Sequence, residues 1–197
     1  MGGKSPFIVL DDAPINEDLI EHAAMAAFWN GGQNCSANMR QIIAKPLVDD
    51  FMGKILKRVA AFQLGDPLDP KTTIGSMITP EHKAQVMNYI SKGTTEGARL
   101  LVGGDVDGPG QFIAPTVFDG VTNDMTIARE EIFGPVLGIM PFTSPEEALA
   151  IASDTDYGLH ATVFTRDIDR AISMARRLPC GTVSVNGFSE GDIKTPF

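Results

Sequence analysis

The run Phe28-Trp29-Asn30-Gly31-Gly32-Gln33-Asn34-Cys35-Ser36-Ala37 places a cysteine in a setting that suits chemistry. The glycine pair lets the backbone bend tightly and leaves room for another molecule near the sulfur. Asn34 and Ser36 are small and leave the thiol uncrowded. A thiolate is the strongest nucleophile a protein carries near neutral pH, so Cys35 is a candidate for covalent catalysis. The same pattern also suits a small buried core cysteine, and the run alone does not separate the two. A second cluster is Arg129-Glu130-Glu131-Ile132-Phe133-Gly134-Pro135-Val136. Two adjacent carboxylates and an aromatic ring stand beside a Gly-Pro turn, where loops present binding groups. One carboxylate can bridge ribose hydroxyls and the ring can stack on a cofactor. A charged loop leading into a strand accounts for these residues as well.

The elements that must position these groups alternate between strand and helix. Phe7–Leu10 reads as a short buried strand ended by Asp11-Asp12. Asn16 offers a side-chain cap, Glu17 and Asp18 favour a first turn, and Leu19, Ile20, Ala23, Ala26 and Ala27 fall at helical spacing. That helix ends at the glycine pair before Cys35. Arg40–Ala44 reads as strand, Pro46 suits the first turn of a helix to about Phe62, and Gly65–Gly75 is rich in turns. Pro80 and Glu81 begin a helix ending near Gly97, and Leu100–Val102 is a strand before a Gly103-Gly104 turn. Phe112–Phe118 and Val136–Phe142 are strands on either side of the Glu131 loop. Ser144 caps a helix over Pro145–Ser153. Ala161–Thr165 is a strand, Asp167 caps a helix to Leu178, and Thr182–Val185 is the last clear strand. This alternation predicts an α/β fold, a three-layer, mostly parallel sheet with helices on both faces and right-handed crossovers.

At 197 residues and 43% hydrophobic, the chain has the material for one sizeable core. A formal charge of -9 argues against nucleic acid or an anionic membrane as partner. No apolar run of membrane-spanning length and no signal-type apolar segment after Met1 is present. Cys35 and Cys180 form no metal or disulfide pattern, which predicts a reducing, cytoplasmic setting and no bound metal. No internal repeat is evident, and no Gly-x-Gly-x-x-Gly follows a strand.

Gly2-Gly3-Lys4-Ser5-Pro6, Gly32-Gln33-Asn34-Cys35 and Glu130–Val136 together resemble the landmarks of the NAD(P)-dependent aldehyde dehydrogenase superfamily, in its order and at about its spacing. Tyr157-Gly158-Leu159, Gly181-Thr182-Val183 and Val185-Asn186 extend the resemblance over the whole chain. Residues 166–178 and 186–197 are most similar to enzymes of aminated or γ-glutamylated butyraldehydes. The resemblance also shows departures. In the family, Glu-Leu precedes the Gly-Gly-Lys-Ser-Pro run and that glutamate activates the hydrolytic water. Here Met1 stands in the leucine position. Residues 1–197 are therefore expected to be the cysteine-bearing catalytic domain, truncated at both ends, without the dinucleotide-binding domain. Alone, such a chain is expected to yield no NADH and, because the absent domain leaves an apolar face uncovered, to self-associate as a homo-oligomer.

The resemblance implies that Cys35 attacks an aldehyde and carries a thiohemiacetal and then a thioester. It implies NAD or NADP as cofactor, with NAD favoured. Glu131 corresponds to the residue on the nicotinamide ribose, with Phe133 packed beside it. His82 and Gln85, one turn apart near a helix start, fall where the family places polar groups close to the same ribose; His82 is equally a plain surface histidine. Trp29, Asn34, Ser36, Ser189, Glu190 and Phe197 align with the lining of an aldehyde tunnel, although Trp29 fits a core position equally. Glu190 and Asp192 suit either a cationic amino-aldehyde or bulk solvent. Glu130 reads as a solvated surface charge, Cys180 as structural, and His22 and His160 carry no assigned role. Two other functions fit the same residues: a CoA-acylating semialdehyde dehydrogenase, or a non-catalytic folding and assembly unit.

Overall fold

In the computed structural model, which describes residues 2–106, 110–188 and 194, the chain runs in alternating strands and helices. The order is β1 (Pro6–Val9), α1 (Glu17–Phe28), β2 (Arg40–Ala44), α2 (Val48–Val59), α3 (Pro80–Thr95), β3 (Arg99–Asp105) and β4 (Ile113–Asp119). It continues with α4 (Thr126–Arg129), β5 (Val136–Phe142), α5 (Pro145–Ser153), β6 (His160–Phe164), α6 (Ile168–Arg177) and β7 (Thr182–Val185). The strands form one sheet in the order β3-β4-β5-β2-β1-β6-β7. Every pairing is parallel except β3 with β4.

Alternation along the strands explains the three layers. Ile8 of β1 lies beside Ile42 of β2, which lies beside Met140 of β5, and all three point into one buried cluster with Val86 of α3 and Leu149 of α5. Phe7, Val9 and Ile43 point the other way, into a cluster with α1 and α2. A strand buried on both faces is closed to water at every position, as β1 and β2 are, and the two polar residues of β2, Arg40 and Gln41, bond to carbonyls. The alanines of α1 lie against this second face, with Ala23, Ala24, Ala26 and Ala27 all buried.

The predicted caps are in place. Asn16, Thr79, Ser144 and Asp167 each accept a first-turn N–H with the side chain, and Asn16, Ser144 and Asp167 are the three read from sequence. Two predicted features are corrected. Gly103-Gly104 is not a turn after a strand: β3 runs through both glycines, with register shifts on either side of Val102. A Cβ on Gly103 would lie 2.4 Å from Thr116 Cα, so the glycine lets the bulged strand close on β4. Pro46 opens a separate 3-10 turn, Lys45–Leu47, and α2 begins only at Val48.

The loops that enter β1, β2, β5 and β6 all lie at the amino ends of these parallel strands. Three of them hold the residues singled out above. This is the edge opposite to the carboxyl-end crevice where open α/β sheets usually bind ligands.

Candidate active site

Helix α1 ends when the Trp29 N–H bonds Met25 O, and Asn30, Gly31 and Gly32 then turn the chain through the left-handed region, at φ 53°, 64° and 71°. A Cβ on Gly32 would stand 2.4 Å from Gly134 O. The close approach that this glycine allows is therefore to the Glu131–Gly134 loop of the same chain, rather than to an incoming molecule as the sequence suggests.

Cys35 follows on a tight turn closed by Ala37 N–H to Asn34 O at 3.1 Å. Asn34 Oδ1 accepts from both Ser36 N at 3.1 Å and Ser36 Oγ at 3.0 Å, which fixes the turn from inside. Cys35 itself is half-buried. Among the described residues, its N–H has no acceptor. The turn is anchored below by Asn38, whose N–H bonds Ala26 O at 2.8 Å and whose Nδ2 bonds Pro6 O at 2.7 Å.

The segment Gly2-Gly3 lies between the two chemical clusters. A Cβ on Gly3 would fall 1.9 Å from the Cys35 carbonyl oxygen, and one on Gly2 would fall 2.4 Å from Glu131 Oε2. The Gly3 N–H donates to Glu131 Oε1 at 3.0 Å. One glycine residue thus separates the backbone of the cysteine turn from the Glu131 carboxylate, whose other oxygen takes no donor among the described residues.

Phe133 holds φ at 56° and is 39% exposed, so its ring is presented outward from a backbone shape that an aromatic residue rarely adopts. Its carbonyl lies 2.6 Å from His82 Nε2. A carbonyl only accepts, so this nitrogen carries the hydrogen. The two rings meet edge to face. His82 is therefore tied to the Phe133 loop and is not a free surface histidine. Gln85, exposed, lies one turn on, beside the Tyr89 hydroxyl. That hydroxyl donates to Glu130 Oε2 at 2.7 Å, so Glu130 is exposed but anchored rather than merely solvated. Burial, with Glu130 adding to it, pushes the Tyr89 phenol up to about 12.

Of the tunnel residues, Trp29 is 44% exposed, so it is not a core tryptophan. Asn34 is half-buried, and Ser36 is buried with its hydroxyl committed to Asn34. Ser189, Glu190 and Phe197 lie outside the described residues. Cys180 is half-buried against the core, and burial pushes its thiol up. Among the described residues no group of three His, Cys, Asp or Glu side chains is placed to hold a metal.

Sequence reasoning passed over the residues that hold these loops together. Arg40 is buried and spends its guanidinium on carbonyls: Nε on Lys4 O at 3.0 Å, Nη1 on Ile151 O at 2.9 Å and Nη2 on Ala152 O at 2.8 Å. Gln33 accepts the Ile78 N–H at 3.0 Å and so ties the cysteine turn to the segment entering α3. Lys4 is buried, and burial, with Arg40 adding to it, pulls its amine down to about 7 against the pull of Glu131 and Glu130. Their signal was present in the motifs at Lys4 and Gln33. For Arg40 it was only a charge at the head of a strand that is apolar from Ile42 on.

Comparison with known proteins shows the family. The model of the aldehyde dehydrogenase family matches residues 1–197. The chain is 41% identical over 198 residues to a betaine aldehyde dehydrogenase of Cereibacter sphaeroides, matching all of this chain and 41% of that protein. It is 43% identical over 201 residues to betaine aldehyde dehydrogenase 1 of Rhizobium meliloti, again matching 41% of the relative. Among solved structures, HpcC from Thermus thermophilus superposes with a TM-score of 0.96 at 43% identity, over the whole chain and 40% of its own. An indole-3-acetaldehyde dehydrogenase complexed with NAD+ superposes with a TM-score of 0.96 at 42% identity, with the same coverage. The chain thus spans about two fifths of the length of the relatives that it matches.

Proposed function

The chain belongs to the aldehyde dehydrogenase family, and from that premise we propose that residues 1–197 are the catalytic, cysteine-bearing domain of an enzyme that oxidises an aldehyde to a carboxylic acid with NAD(P)+. The observation that carries this reading is Gly3, wedged between the Cys35 backbone and the Glu131 carboxylate. It brings a nucleophile candidate and a cofactor-binding candidate to one edge of the sheet from positions far apart in sequence.

The residues fit a dinucleotide. Glu131 is fixed through one oxygen and keeps the other for a hydroxyl pair, and Phe133 offers an exposed ring face beside it. His82 holds the Phe133 carbonyl, and Gln85 follows on the same helix. In the proposed reaction the Cys35 thiolate attacks the carbonyl carbon, a C–S bond forms, and the carbonyl pair moves onto oxygen. The Cys35 N–H, which has no acceptor among the described residues, donates to that developing oxyanion. Glu131 and Phe133 would hold the nicotinamide end of the cofactor, which would supply the acceptor for the hydride of the thiohemiacetal carbon. Cys35 then holds the acyl group as a thioester, which water opens with general-base assistance.

The substrate we assign is a small aldehyde bearing an amino or quaternary ammonium group. The names of the relatives favour a cationic ligand. Trp29, Asn34, Ser36, Ser189, Glu190 and Phe197 are assigned to its approach. No helix among the described residues is long and apolar enough to cross a membrane. A cytoplasmic site of action suits two free cysteines, and nucleic acid and membrane are not assigned as partners. Self-association through the sheet edges is assigned because β3 exposes Leu100 and Val102 and β7 exposes Val185.

The test is capture of the intermediate. The complete reading frame is incubated with aldehyde and NAD+, quenched in acid, and mapped by peptide mass spectrometry. An acyl group on the Cys35 peptide is expected. Turnover with acylation at another residue, or with none, overturns the assignment.

A further inference from the structure

Next to the Gly2-Gly3 segment, three buried polar side chains gather. Lys4 and Ser5 are each 2% exposed and His160 is 1% exposed. Lys4 Nζ, Ser5 Oγ and His160 Nδ1 have no hydrogen-bond partner among the described residues. Leaving such a group unpaired is costly, more so for a charge, and folded proteins rarely leave several together. All three residues line one small cavity of about 10 Å³, which Cys180 and Tyr157 also border. That is about the space that a single water molecule needs.

We propose that this chamber between β1, β6 and the segment that follows α6 is an internal water site, in which one water molecule bridges Lys4 Nζ, Ser5 Oγ and His160 Nδ1. The occupant must both donate and accept. His160 Nε2 is already engaged with Ser184 Oγ at 3.1 Å, which leaves only Nδ1 for the chamber. Ser5 can serve in either sense, and an amine gives or receives according to its protonation. An anion is the rival occupant, since Arg40 lies nearby. However, the Arg40 guanidinium is spent on three carbonyls, and a halide is larger than the water that the volume admits. Burial also pulls Lys4 down to about 7 and His160 down to about 4, which lessens the positive charge that an anion would need. The facing groups are few: Arg40 from β2, Cys180 after α6, and Glu130 and Glu131 after α4.

The complete reading frame is studied in solution by ¹⁷O relaxation dispersion and in crystals grown with and without bromide. The expected crystal result is one peak within hydrogen-bond reach of all three atoms, unchanged by bromide and without its anomalous signal. In solution, Ser5→Ala and Lys4→Met are each expected to hold about one fewer long-lived water than the parent. An anomalous bromide peak makes the chamber an anion site and overturns the proposal. So does a chamber without a peak, or an unchanged water count in both variants. If Lys4→Met does not fold, Ser5→Ala alone decides the solution result.

Discussion

Gly3→Ala isolates the contact on which the site depends. Gly3 does not occupy the left-handed region, so the substitution adds no backbone strain and its effect is steric. The new Cβ would start 1.9 Å from the Cys35 carbonyl oxygen, where real Cβ atoms stay beyond about 3.0 Å. The obstacle is the Cys35 backbone, and Gly3 is itself held by its N–H on the Glu131 carboxylate. Either the cysteine turn or the Gly3 strand entry must retreat by about an ångström. Overpacking of that kind costs about 1–3 kcal/mol, and a 1 Å displacement of a reacting group costs roughly 100-fold in rate, about 2.7 kcal/mol of barrier. We expect a melting temperature lower by several degrees and kcat/KM lower by about two orders of magnitude in the complete reading frame. Thermal unfolding and steady-state NADH formation measure the two. Gly53→Ala is the control, since nothing lies within 4 Å of its Cβ on the exposed side of α2, and it should gain about 0.5–1 kcal/mol. If Gly3→Ala melts with the parent and keeps its kcat/KM within twofold, the proposed coupling through Gly3 is wrong.

Asn38→Ala removes the bond to the Pro6 carbonyl and the acceptor of the Thr162 hydroxyl under the cysteine turn, so it should cost about 1–3 kcal/mol in denaturant unfolding while Ser36→Ala costs less. Stability should rise with pH between about 7 and 10.5, because the unfolded chain keeps the Lys4 proton through that interval and the folded chain does not. The burial cost is therefore in full force below pH 7 and is relieved above it, with a slope of at most about 1.4 kcal/mol per unit. Urea unfolding across that range should show the slope in the parent and its loss in Lys4→Met. Glu131→Gln keeps an oxygen to accept the Gly3 N–H but lowers the pull on ribose hydroxyls. Titration calorimetry should find weaker NAD+ binding with melting little changed.

The layers were legible because they follow from local rules. A polar residue with a free oxygen precedes α1, α5 and α6 and caps each one, and Arg40–Ala44 is strand to the residue. Local rules misread β3, where a Gly-Gly pair signals a turn but Gly103 instead admits Thr116 of the neighbouring strand. They also gave no warning of α4, one turn long, which Glu96 caps from α3's end by accepting the Thr126 N–H at 2.6 Å. Within the site, Cys35 and Glu131 were legible as residue types in recognisable runs. Their meeting across Gly3 was not, because it is made by strand order: β1 lies next to β2, and β2 next to β5. The role of Arg40 is hidden for the same reason, since its carbonyl partners come from α5 and the Lys4 segment.

The most direct test of the central claim is aldehyde-dependent NADH formation by the complete reading frame beside its Cys35→Ala variant, with 4-aminobutyraldehyde, its γ-glutamyl derivative and betaine aldehyde as substrates. The account predicts turnover of at least one of the three in the parent, and its loss in a variant that melts like the parent. A Cys35→Ala protein that still forms NADH at the parental rate would contradict it.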